Sequence, residues 1–286
     1  MIGAVTKKLK SLAYKSLDNM YRSLDRSYIR RTENIKNIPS ERYREGGKYA
    51  YSEWAHVIGI FQAIIGDYLE SSEPRIVDVG CGTGLIAISV EPYIEGGGYY
   101  VGMDVDKERI NFCKGKHQRD EYSFKHLNIA NEEYYPDAQK ERAEWPLESD
   151  SYEICTALSV WTHLARKDAT FYFKEVERVL KTNGKFISTF FLLDESYQPT
   201  KKKEKNESVY HNTRPGRWIF ENKAYGENDW RYPSWAENPE RATGVTKQGV
   251  KKLVNRTSME IVEHKTGSWK ETNGMYFQDI LIFEKK

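Results

Sequence analysis

Apolar residues recur at two different spacings along this chain, and the change of spacing marks the change of element. Over residues 1–31, Ile2, Val5, Leu9, Leu12, Leu17, Tyr21, Leu24 and Tyr28 fall mostly three and four apart, the period of one helix face. Residues 32–48 are polar, contain Pro39 and Gly46-Gly47, and read as a linker. A second helix is expected from Tyr49 to Glu70, with Trp54, Val57, Ile58, Phe61 and Ile65 on one side. From Arg75 short apolar runs alternate with helical stretches. Strands are expected at Arg75–Val79, Tyr99–Met103, Tyr122–Leu127, Tyr152–Val160 and Lys185–Leu192. Helices are expected up to about Tyr93, over Lys107–Lys116 and over Lys167–Leu180, the last stopping at Asn183-Gly184. A polar excursion with Pro136 and Pro146, Asn131–Asp150, separates the third strand from the fourth.

Such alternation implies right-handed crossovers and a parallel sheet. After the fifth strand comes a polar and aromatic segment, about residues 194–244, too long for an ordinary loop and read as a lid over the acceptor pocket or a small subdomain. Its run Lys201–Lys205 reads as solvated charge, and its rings, Trp218, Phe220, Tyr225, Trp230, Tyr232 and Trp235, as a small core of their own, or otherwise as faces for a sugar ring or planar acceptor. A helix near Lys247–Asn255 and strands Glu260–Lys265 and Tyr276–Phe283 close the chain, with Gly267 and Asn273-Gly274 between the strands, so the two can pair antiparallel. The fold class expected is therefore α/β: a doubly wound, mostly parallel seven-stranded sheet with a C-terminal antiparallel pair, an N-terminal helical arm and an insertion after strand five. Residues 1–48 are the arm and linker, and 49–286 one domain carrying the insertion.

Hydrophobic residues make up 39% and charged residues 30%, a soluble balance with enough apolar mass for a core. The net charge of +2 conceals an asymmetry. Residues 1–31 hold eight Lys or Arg against Asp18 and Asp25, net +6, which leaves the rest at −4. That distribution suits an anionic partner for the arm better than a protein built wholly for nucleic acid. A basic helix with an apolar stripe suits peripheral contact with an anionic membrane, and docking onto the body or a twin subunit explains the stripe equally well. Cys81, Cys113 and Cys155 are scattered and suggest neither a disulfide framework nor a zinc site, so a reducing cytoplasm is the simplest home. The apolar run Val57–Ile65 is too short to span a bilayer, and the N-terminus lacks a signal peptide's apolar stretch.

The chemistry concentrates in Asp78-Val79-Gly80-Cys81-Gly82-Thr83-Gly84, between a strand and a helix. Glycines let the backbone turn tightly and approach a ligand, and the helix behind offers free N–H groups. Asp104 ends the next strand, where a carboxylate can accept both hydroxyls of a ribose; Asp106 is the alternative. Asn128-Ile129 follows strand three and offers a donor and an acceptor to an adenine edge. Ser159-Val160-Trp161-Thr162-His163-Leu164 ends strand four, where an open sheet places its chemistry. A dinucleotide site would want a third glycine where Leu85 stands.

This set resembles the class I S-adenosylmethionine-dependent methyltransferases over residues 50–286. The resemblance implies a sulfonium cofactor held by Asp78, Gly80, Cys81, Gly82 and Gly84 on the turn, its ribose by Asp104, its adenine beside Asn128 and Ile129, with Ser159 at the transfer end. Asn128 stands where that family often has Asp. A narrower resemblance, to a bacterial subgroup associated with surface-glycan genes, rests on Trp145-Pro146-Leu147, Ser159–Leu164, Glu175–Gly184 and Gly267-Ser268-Trp269 with Phe277-Gln278-Asp279-Ile280. The leading expectation is O-methylation of a small-molecule or glycan acceptor with no metal; His163 and His211 are the candidate bases, His163 being read first as a structural histidine bonded to backbone. RNA methylation is kept open by the basic arm. DNA amino-methylation would want a proline-rich element at Ser159–Thr162, and base-C5 chemistry an accessible cysteine, whereas Cys155 lies within strand four. A non-catalytic module keeping the cofactor fold is the reading from another class. The oligomeric state is not legible.

Overall fold

Residues 9–10, 12–20, 33–44, 50–129 and 142–286 are described by a computed structural model. Of the expected arm helix, Ile2, Val5, Tyr21, Leu24 and Tyr28 lie outside the described residues, as do Gly46-Gly47 and 130–141 of the polar excursion.

The parallel strands are β1 (Arg75–Val79), β2 (Tyr99–Asp104), β3 (Tyr122–His126), β4 (Tyr152–Ala157) and β5 (Leu180–Leu193). Their order is β3-β2-β1-β4-β5, followed by β10 (Asp279–Lys285) and β9 (Met259–Lys265), both pairings there being antiparallel. This is the expected seven-stranded core. Helices α1 (Tyr51–Asp67), α2 (Leu85–Ile94) and α3 (Lys107–Lys116) cover one face through Phe61, Ile65, Ile86, Val90 and Ile110. On the other face α4 (Arg166–Val179) contributes Phe173, Val176 and Val179. Helices on both faces explain why Ile76, Val77, Ile154 and Cys155 are all fully buried and why these strands read as continuous apolar runs rather than alternating ones. Strand order reverses between β1 and β4, and ligands of such sheets sit beyond the carboxyl ends at that reversal.

Three local expectations change. α4 does not run on to a cap at Asn183-Gly184; it passes at Val179 directly into β5, and pairing jumps from Tyr152↔Leu180 to Ile154↔Lys185. The Asn-Gly pair forms a bulge there, with Asn183 at φ +65°. β4 ends at Ala157, and Ser159 takes a left-handed φ of +60°. The insertion is no free flap. It contains the short helix α5 (Pro199–Lys203) and the strands β6 (Asn222–Lys223) and β7 (Trp230–Tyr232), and leads into β8 (Gly244–Thr246). β8 lies parallel to Phe191–Leu193 of β5, with β7 and β6 beyond it, giving ten strands among the described residues. The final helix, α6 (Lys247–Val254), follows as expected. Within the charged run only Lys202 departs from the solvated reading: it is buried, donates to the Trp269 carbonyl, and burial pulls its amine down to about 8.

The expected linker also carries structure. Ile38 is buried with Trp54, Ile58 and Ile88, Asn34 donates to the Ile88 carbonyl at 2.8 Å, and Thr83 of the glycine turn donates to the Tyr43 carbonyl at 2.5 Å. Residues 12–20 are helical. Their Asp18 pairs with the buried Arg44 and accepts the Glu41 amide.

Candidate active site

β1 delivers the chain to the glycine turn in a geometry only glycine takes easily. Gly80, Gly82 and Gly84 have φ of +67°, +53° and +90°, left-handed values costly for a side chain. A Cβ on Gly80 would lie 2.5 Å from Val160 Cγ2. Thus the turn approaches the segment after β4 too closely for any substituent.

The turn floors a cavity of about 760 Å³, within the roughly 300–1,000 Å³ of small-molecule sites. Of the residues expected there, Asp78, Gly80, Cys81, Gly82, Asp104, Ile129, Ser159 and His163 line it. Gly84 is buried behind the turn beside His117 and Cys113, and Asn128 is exposed next to the lining residues Leu127 and Ile129. The two acidic candidates separate. Asp104 is buried; it accepts the Gly82 and Asp106 amides at 2.8 Å each, and burial pushes its carboxyl up against those bonds and Arg109. Asp106 instead caps α3, accepting from the Glu108 and Arg109 amides. Deeper, Asp78 accepts from the Tyr100 and Thr156 hydroxyls at 2.8 Å each, and burial pushes it up to about 7. Cys81 and Cys113 are free thiols side by side, and the hydrogen bond of Cys81 to the Cys113 thiol together with burial raises the Cys81 thiol. Cys155 is fully buried, with its thiol raised by burial, so it presents no nucleophile.

The segment after β4 is held by a short network. The Ser159 amide donates to Thr189 Oγ1 at 2.7 Å, and its hydroxyl accepts from Gln278 Nε2 at 2.8 Å. His163 Nδ1 lies 2.8 Å from the Glu240 carbonyl. A carbonyl only accepts, so Nδ1 carries the proton and Nε2 is the acceptor nitrogen of the neutral ring. Ser159, His163 and Tyr276 also line a second cavity of about 1390 Å³, built largely by the insertion. His211 lines only that second cavity. Its Nε2 is 2.8 Å from Glu271, its Nδ1 accepts from the Thr213 amide at 3.3 Å, and burial pulls the ring down against the pull of Glu271.

Sequence reasoning missed Glu240 and named Tyr225 only as one ring of the insertion; both reach from the insertion into the first cavity, bonded to each other at 2.5 Å. It also missed Tyr276, buried at the join and edge-on to Phe61. No spacing announces any of them, because each comes from a segment distant in sequence. Among the described residues no cluster could hold a metal ion.

A parallel sheet reversing at β1 and β4, with a glycine turn and a buried acidic residue at the reversal, defines a class I S-adenosylmethionine-dependent methyltransferase. Residues 77–188 match the family model described as a methyltransferase domain; the chain is a methyltransferase and S-adenosylmethionine is its cofactor. Solved structures agree in fold. A protein from Pyrococcus horikoshii is 18% identical, with TM-score 0.51, covering 82% of this chain and 92% of its own. An S-adenosylmethionine-dependent methyltransferase from Mesorhizobium loti is 13% identical, with TM-score 0.51 and coverage of 79% and 98%. A putative sarcosine dimethylglycine methyltransferase from Galdieria sulphuraria is 12% identical, with TM-score 0.53 and coverage of 85% and 91%.

Proposed function

We propose that the enzyme methylates a hydroxyl of a small-molecule or glycan acceptor. The observation that carries this reading is the meeting of two cavities at Ser159, His163 and Tyr276. The first cavity fits the cofactor: a turn free of Cβ atoms along the amino-acid part, the remaining lone pairs of Asp104 for the ribose, and Val105, Leu127, Ile129 and Trp145 as an apolar wall for adenine, with Asn128 at its edge. The bound cofactor supplies an electrophilic methyl group on a positively charged sulfur. His163 Nε2 would take the proton of the acceptor hydroxyl, whose oxygen would be the nucleophile for that methyl group. The surrounding walls exclude water and hold the reactants in line. The glycan part rests on the narrower resemblance of Trp145–Leu147, Ser159–Leu164, Glu175–Gly184 and the terminal runs. The test is mass spectrometry of glycan and small-molecule fractions incubated with the protein and methyl-labelled cofactor. An O-methyl product is expected; label on nitrogen or on RNA overturns the reading.

Asp104→Asn is expected to weaken S-adenosylhomocysteine binding by about 1.5–3 kcal/mol, the worth of a hydrogen bond to a charged group. Asn keeps one acceptor oxygen for the turn, which alanine would not. Calorimetry on the folded variant checks it; unchanged affinity removes Asp104 from the site.

The arm attaches the enzyme to an anionic lipid surface. Asp18 ties its helix to the body, while Leu9, Leu12, Leu17 and Met20, on the opposite side of the helical wheel, are 47–62% exposed. The stripe therefore points away from the body, and the arm's charge of +6 suits acidic headgroups. No helix among the described residues is long and apolar enough to cross a membrane, so contact is peripheral. Full-length protein is expected to co-sediment with phosphatidylserine vesicles at low salt and to release at high salt; protein lacking residues 1–31 should not bind. A full-length protein that ignores the vesicles and dimerises only with its arm assigns the stripe to a twin subunit.

A further inference from the structure

The second cavity carries a chemical signature of its own. Its lining includes Lys205, Arg214, Arg217 and Arg241 against Glu53 and Glu221. Two of the cations are already committed: Lys205 pairs with Glu271 at 3.2 Å and Arg241 with Glu237 at 3.3 Å. Arg214 and Arg217 have no ion pair among the described residues.

Arg217 is not a loose surface charge. Its guanidinium lies 3.9 Å from the centre of the Trp235 ring and 5.7 Å from that of Trp218. Trp235 Nε1 donates to the Arg217 carbonyl at 2.6 Å, and Trp218 Nε1 to Thr213 Oγ1 at 2.7 Å, so both rings are fixed. Trp218 also stacks on Phe191 at 4.9 Å, which anchors the platform to β5. Stacking occupies the flat face of a guanidinium and leaves its N–H donors around the edge. Those donors match the spacing of two oxygens of a phosphate or carboxylate. A guanidinium pinned on aromatic rings has also lost the rotamer freedom it would otherwise lose on binding.

We propose that the acceptor is an anionic, ring-bearing hydroxyl compound whose phosphate or carboxylate is read by Arg217, with Arg214 beside it. This rests on the reading that the second cavity holds a hydroxyl acceptor. The oxyanion sits on the arginines of the insertion, the ring lies against Trp218 and Trp235, and the hydroxyl reaches the join at His163. The arrangement selects against neutral sugars, because a neutral ligand covering Arg217 would displace its water without offering a counter-charge.

The experiment is calorimetry on the full chain saturated with S-adenosylhomocysteine, using inorganic phosphate, glucose 1-phosphate, glucuronic acid and methyl glucoside as probes. The anions are expected to bind and methyl glucoside not to. Glucose 1-phosphate against glucuronic acid tells whether phosphate or carboxylate is preferred. Arg217→Gln should lower the affinity of the preferred anion at least tenfold and Arg214→Gln should lower it less, with S-adenosylhomocysteine affinity unchanged in both. Binding of none of the anions, equal binding of methyl glucoside, or indifference of the anion to Arg217→Gln overturns the proposal. A neutral O-methylated product in the transfer assay would sink it while sparing the hydroxyl reading; an anionic N-methylated product would do the reverse.

Discussion

His163→Gln is expected to slow methyl transfer by about 100- to 10,000-fold, the usual worth of a positioned general base, with S-adenosylhomocysteine affinity unchanged. The bond between Nδ1 and the Glu240 carbonyl, 2.8 Å long, sets the tautomer and the direction of the ring together. The lone pair is thereby placed on Nε2, in a residue that lines both cavities. Glutamine preserves much of the volume and can keep a bond to the carbonyl through its amide, but it cannot take a proton. Turnover on the acceptor fraction and calorimetry on the same preparation check this. His211→Gln supplies the contrast: with Nε2 against Glu271 and Nδ1 taken by Thr213, its loss should leave the chemical step nearly intact. Equal damage from the two substitutions, or none from His163→Gln, removes the base from His163.

The parallel core was legible because its signals are local. The central strands show as buried apolar runs, and Lys107–Lys116 was bounded to the residue. The glycine turn was legible for the same reason: positive φ at Gly80, Gly82 and Gly84 is a property of single residues. That Asp104 lines the cavity follows from its place at a strand end, the edge where such sheets bind ligands. What stayed hidden depends on pairing over distance. β6 and β7 are two and three residues long, too short to show a period of two, and β8 finds its partner on β5 some fifty residues earlier. Glu240 and Tyr225 reach the first cavity only because those strands fold the insertion back. The arm misled in a subtler way. Its stripe was legible among the described residues, but the docking contact is the polar Asp18 on the opposite side, paired with Arg44 from a stretch that reads as linker. Lys202 likewise looked solvated among its neighbours until Trp269 came to cover it.

Lys270→Met is expected to destabilise the fold by about 3–5 kcal/mol, the cost of breaking a buried ion pair by removing one partner. Lys270 Nζ is 2.9 Å from Asp194 and 2.8 Å from Asp279, and neither Lys270 nor Asp279 has any exposed side chain. Asp279 also accepts the Leu192 and Gly267 amides at 3.0 Å each and Trp269 Nε1 at 2.8 Å. The cluster thus bolts the start of the insertion, at Asp194, to the first residue of β10. Burial alone would push the Asp279 carboxyl up, but His264, Lys270 and the Gly267 amide outweigh it and hold it below the usual range; Asp194 is held low in the same sense, burial again opposed, by Ser196 and Lys270. Groups held low stabilise the fold above their unfolded pKa, about 3.9, and lose that contribution as pH falls through the folded value. Methionine reverses the sign for Asp279. Its carboxyl stays buried with only His264 beside it, 3.2 Å away and a cation only when protonated, so its folded pKa rises above the unfolded one, and the penalty is greatest at neutral pH and shrinks on acidification. Thermal unfolding at neutral and mildly acidic pH checks both parts. At neutral pH a fall in Tm on the order of 10 °C is expected, taking roughly 2–4 °C per kcal/mol for a domain in this size range, and the gap to the wild type should narrow on acidification. Lys286→Met is the control, since its partners Glu260 and Glu284 pair with it at the solvent-exposed surface, where ion pairs contribute little. If Lys270→Met behaves like that control, or its deficit does not depend on pH, the cluster is not what holds the insertion in place.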